Sequence, residues 1–140
     1  MDISKIVSDD VLFPVELKHP FTKEPLGITF WIEPFAEDDR HIQWGRAEFI
    51  ARKVKSGETD VSADDLVDIE FEVNRRRCLD AVKRWDWGDN SFNEIGADTP
   101  CTKENIRTVL FAPKAEWITR QLYDAGVNVR NFFPKSSVSA

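Results

Sequence analysis

The sequence predicts an α+β protein: an N-terminal β-hairpin over about residues 11–33, followed by a mostly α-helical body of about four helices. Two observations carry this expectation. Two β-rich runs, Val11–Leu17 and Gly27–Glu33, bracket a turn-rich stretch from His19 to Pro25, the pattern of paired strands. Beyond Pro34 the apolar residues return at steps of three and four, the period of a helix. With 140 residues, 41% of them hydrophobic, the chain is long enough to bury one core. A single domain over 1–140 follows, divided into a hairpin module at 11–35, a helical body at 36–126 and a tail at 127–140.

Within the hairpin, Ile28, Phe30 and Ile32 fall on one face of the second strand, and Thr29, Trp31 and Glu33 on the other. Pro14 marks the first strand as an edge, because it lacks the amide hydrogen a ladder needs. A lone hairpin is only marginally stable in water, so this one must rest on helices or pair with something else.

Glu37-Asp38-Asp39 supplies negative charge suited to the first helix start, and Gly57 its stop. Ala47, Ile50, Ala51 and Val54 form the apolar stripe between them. Ser62-Ala63-Asp64-Asp65 opens the next helix. Glu58 to Glu72 holds seven acids and no base, and Arg75 to Arg84 five bases and one acid, the order a helix dipole favours. Val67, Ile69, Phe71 and Val73 alternate with acids like a strand, yet Val67, Phe71, Asn74, Cys78, Val82 and Trp85 follow helical steps for longer. The longer pattern predicts helix as far as Trp85.

Asp86 to Cys101 reads as an ordered loop, since Trp87 and Phe92 would stay wet in a flexible tether. Thr102 caps a third helix through Ile106, Val109 and Leu110, and Asn105 is suited to tie the preceding loop to it. Pro113 begins a last helix, where its missing amide hydrogen costs little. Trp117, Ile118, Gln121 and Leu122 mark its buried side and Gly126 its end.

Chemistry is sparse. His19, His41, Cys78 and Cys101 are the only soft ligands, and their spacing matches no zinc site. Asp86–Ser91 lacks the twelve-residue calcium pattern. Neither a phosphate cradle nor a nucleophile elbow is present, so catalysis, cofactors and metals are not expected. A net charge of −6 repels bare nucleic acid. No run reaches the ~20 apolar residues that cross a bilayer, so no membrane partner is expected. Two cysteines and no leader-like N-terminus point to a reducing cytosol. Arg75-Arg76-Arg77, with Lys83 and Arg84, fits phosphate or acidic protein in principle and a solvated helix face more simply. Trp85 reads first as a core anchor, whereas Trp87 reads equally as core or as partner contact. Candidate partner-binding residues are Trp31, Trp87, Phe92, Phe132 and Phe133.

Two stretches carry a resemblance. Val15 to Gly27, with its His19-Pro20-Phe21-Thr22-Lys23-Glu24-Pro25-Leu26-Gly27 loop, then Ile28 to Glu33, resembles the start of the small tail assembly chaperones of long-tailed bacteriophages and prophages. Trp85-Asp86-Trp87, Pro100-Cys101-Thr102-Lys103-Glu104-Asn105-Ile106 and the closing Asn131-Phe132 resemble that family's later part. There a helix ends at a tryptophan and a turn leads to the next helix start. The likeness covers about half the chain, little of it between Lys55 and Arg77, and the loop from Asp89 to Asp98 is longer than the family's. It implies a non-enzymatic factor of the host cytoplasm, absent from the mature virion. Its implied partners are the tape-measure protein and the major tail protein of the tube. Pairing of the edge strand with a second copy makes a homo-oligomer an open alternative. The rival function is a structural virion protein: a minor tail, tail-completion or connector subunit.

Overall fold

Alternation along the first two β-rich runs is realised as strands β1 (Phe13–Lys18) and β2 (Pro25–Ile32), paired antiparallel with Val15 opposite Phe30. The computed structural model describes residues 12–35, 40–56 and 63–128. Val15, Leu17, Ile28, Phe30 and Ile32 all turn inward and are buried. The connecting turn is held by His19, whose Nδ1 accepts the amide N–H groups of Phe21 (3.1 Å) and Thr22 (3.2 Å). Lys23, at φ 64°, closes the turn, its N–H donating to the His19 carbonyl at 3.0 Å.

Helices α1 (Arg40–Ser56) and α2 (Ala63–Ala81) follow. The acids Glu37-Asp38-Asp39, Gly57 and Ser62 lie outside the described residues. The ambiguous stretch Val67–Val73 is helical, with Asp64 and Asp65 in its first turn, where the dipole favours acids.

The helical stripe overshoots, however. At Val82 the chain passes straight into strand β3 (Val82–Asp86), antiparallel to β2, with Arg84 opposite Trp31 and Trp85 opposite Phe30. Pairing with a strand more than fifty positions earlier overrides the local period. The sheet order is therefore β1-β2-β3, and the predicted hairpin gains a third strand from within the helical body.

The loop after β3 turns at Gly88, at φ 57°, where a Cβ would stand 2.7 Å from the Gly27 carbonyl oxygen. Glycine is required there by both backbone angle and space. Asn90 stitches the turn to β2, its Nδ2 donating to the Leu26 carbonyl at 2.7 Å.

Thr102 caps α3 (Lys103–Leu110), its hydroxyl accepting the Asn105 N–H at 3.3 Å. Asn105 in turn donates to the Pro100 carbonyl at 2.9 Å, the loop tie expected of it. Pro113 sits in the turn before α4 (Glu116–Val127), not in its first helical turn. Gly126 is not the helix stop either, since α4 continues to Val127. It is instead a close-packing position, where a Cβ would fall 2.6 Å from the Phe35 ring.

Ile118, Thr119 and Leu122 form the buried side of α4, with Trp117 and Gln121 at its margin. Gln121 does more than border the core. Its Oε1 accepts the Lys18 N–H at 2.9 Å, and its Nε2 donates to the Lys18 carbonyl at 2.8 Å. This amide closes the end of an edge strand that would otherwise leave both groups unpaired.

Among the described residues the architecture is α+β: a three-stranded antiparallel sheet and four helices. The main core lies between the inner face of the sheet and residues of α2, α3 and α4, such as Cys78, Val109 and Leu122.

Candidate protein-binding surface

The opposite face of the sheet is the first surface to consider. Its central row is Pro14, Trp31 and Arg84, and the next is Glu16, Thr29 and Asp86. Trp31 is half-buried, and the Arg84 guanidinium lies 4.6 Å from its ring centroid. Among the described candidate aromatics, Trp31 is the one the structure leaves on an open face.

Trp87 is not available to a partner. It is 2% exposed and packs edge-on against Phe30 and Trp85, at centroid distances of 5.5 and 5.6 Å. The turn at Gly88 drives its ring under the sheet. Phe92 is half-buried against the same cluster, 6.5 Å from Trp87, in a short turn closed by paired bonds with Ile95. Its role is to plug the loop onto the core. Trp85 is a core anchor as its first reading had it, with its indole N–H donating to the Thr99 carbonyl at 2.9 Å. Phe132 and Phe133 lie outside the described residues.

The arginine run is no solvated helix face. Arg76 stacks 3.7 Å over Trp44, Arg75 4.2 Å over Phe111 and Arg77 4.8 Å over Phe35. Glu72 pairs with both Arg75 and Arg76. These cations act as flat, charged packing surfaces that bind α2 to α1, to the α3–α4 turn and to the chain after β2.

Asp80, at the end of α2, is a second electrostatic centre. It accepts from Arg40 at 3.1 Å, from His41 at 2.5 Å and from Lys103 at 2.8 Å. Partial burial pushes its pKa upward, but the hydrogen bonds from Lys103, His41 and Arg40 outweigh it and hold the carboxyl to about 2. One carboxylate thereby pins the start of α1 and the start of α3 to the end of α2.

The surface that sequence reasoning missed lies between α1 and α2. The predicted stripe of α1 has the wrong phase: Ala47, Ile50, Ala51 and Val54 are all exposed, Val54 at 75%. The helix faces α2 through Gly45, where a Cβ would stand 2.5 Å from Val73 Cγ2. Glycine carries no apolar signal, so the true contact line was invisible to hydrophobic periodicity. An open apolar groove of about 780 Å³ remains, walled by Ile42, Phe49 and Ile50 on one side and Leu66, Ile69 and Val73 on the other. Ile50 is 60% exposed and Leu66 46%. Phe21 stands 87% exposed at the hairpin tip. It too was absent from the candidates, although its place in a turn was legible.

Burial raises the Cys101 thiol to about 11, against a smaller lowering by Lys83, and drives the Cys78 thiol up as well. Both are thiols at neutral pH. Among the described residues no cluster of three His, Cys, Asp or Glu side chains is arranged to hold a metal, and no helix is long and apolar enough to cross a membrane. Comparison with family models, curated proteins and solved structures finds no match to this chain.

Proposed function

We propose that this chain is a non-enzymatic tail assembly chaperone of long-tailed bacteriophages, holding the tape-measure protein and major tail protein in the host cytoplasm until the tube polymerises. The observation that carries the reading is the α1–α2 groove, with Ile50 and Leu66 turned to solvent. A tape-measure protein is largely long apolar helix, which aggregates unless its stripe is covered. An open channel between two helices accepts such a stripe through side chains at i, i+3, i+4 and i+7. The resemblance of the hairpin loop and of the Thr102 region supports the same reading.

Co-expression with the neighbouring tape-measure gene tests it. The soluble fraction of that protein should rise several-fold, and Leu66→Asp should abolish the rise. An unchanged soluble fraction overturns the proposal.

The open sheet face around Trp31, beside edge strand β1, favours a second reading as a structural virion subunit that meets its neighbours through the sheet. Mass spectrometry of purified virions separates the two, because a stoichiometric presence there belongs only to the second.

A further inference from the structure

Opposite charges stand on the two walls of the α1–α2 groove. Arg46 lines the α1 wall and Glu70 the α2 wall. Both are exposed, and neither forms an ion pair with any described residue. Their heights along the groove match. Gly45 is level with Ile69 and Val73, the two side chains its Cβ would meet, which brings Arg46 and Glu70 abreast across the channel. Running in opposite directions from that point, α1 and α2 also bring Ile50 level with Leu66.

This arrangement is its own complement. A two-fold axis along the groove carries α1 of one copy over α2 of the other at the same height, the requirement of an isologous interface. Arg46 then faces Glu70 of the second copy, Ile50 faces its Leu66, and each contact occurs twice. An unrelated helix would need the reversed charge pair at matching positions, whereas a second copy carries it already.

We infer that the α1–α2 groove is a homodimer interface, closed by two Arg46–Glu70 pairs that bracket the apolar floor. The inference does not depend on the chaperone reading: a client helix and a second copy compete for the same groove, so a client must displace the dimer to enter it, and the test of the dimer uses the purified chain alone. The net charge of −6 on each copy opposes any dimer. At ~0.15 M salt, screening over ~8 Å confines that repulsion and leaves the decision to contacts at the seam.

Sedimentation velocity across a concentration series reads the outcome. The wild-type chain should approach twice the monomer mass as concentration rises. Arg46→Glu and Glu70→Arg should each weaken association at least tenfold, since each variant sets like charges face to face. An equimolar mixture of the two single variants should dimerise again, because every reversed residue then meets its opposite. The double variant R46E/E70R should self-associate like the wild type, which shows that the single variants fail through charge and not through misfolding. A wild-type chain that stays monomeric at every concentration overturns the inference, even if it captures an apolar helix. A dimer indifferent to either reversal, or single variants that stay apart when mixed, overturns it too.

Discussion

The sheet packed against α2, α3 and α4 and the arm in which α1 lies on α2 are held by different physics. In the first region the inner strand residues interlock with Val109, Ile118 and Leu122, each essentially removed from water. Apolar burial of this kind is worth about 25 cal/mol per Å² and needs no specific charge state. In the arm, α1 rests on α2 through Gly45, the Arg76–Trp44 stack and the Asp80 cluster, while Ile50 and Val54 remain in water. A helix fastened by a few polar and stacking contacts opens locally at lower cost than one sunk in a core. Stability therefore resides in the sheet region and adaptable surface in the arm.

The largest effect should come from the sheet side. Phe30→Ala empties the centre of a fully buried cluster, and a loss of about 3–5 kcal/mol is expected in denaturant unfolding. A loss below about 1 kcal/mol would mean that the sheet is no better packed than the arm.

Asp80 gives the next effect. Its carboxyl is held to about 2, below its ordinary value of 3.8. The stabilisation is complete above the unfolded pKa and disappears as pH falls through that window towards 2. With the side chain 32% exposed, about 1–2 kcal/mol is a discounted expectation for the lost contribution. Stability measured at pH 5 and at pH 2.5 should therefore fall less in Asp80→Asn than in the wild type. Parallel acid losses in the two proteins would remove Asp80 from the account of how α1 is fastened.

The smallest effect sharpens the contrast most. Arg76→Ala removes the stack on Trp44 and should cost about 1 kcal/mol. Amide hydrogen exchange should quicken along α1 while the β2 amides stay protected. Equal acceleration in both would show that the arm and the sheet open as one unit.

Legibility follows the same division. The hairpin could be read because its alternation and turn chemistry are local, and the Thr102 cap with its Asn105 tie because both act within five residues. β3 could not, since Val82 and Trp85 continue the α2 period and become a strand only by meeting Ile32 and Phe30. The role of Arg75–Arg77 was hidden for a related reason: their partners Trp44, Phe111 and Phe35 come from distant parts of the chain. For Trp87 the sequence fits core and surface equally, and the turn at Gly88 decides for the core. Of the groove, Ile50 was visible as an apolar residue at helical spacing, but the direction it faces depends on Gly45.

The Gln121 clamp joins positions 103 residues apart, with a consequence for how the protein is born. At about 5–20 residues per second, translation reaches Gln121 roughly 5–20 s after Lys18 has been made. Through that interval Leu17 and Phe30 have no α4 to lie against, so the strand made earlier waits on the helix made later to complete its edge.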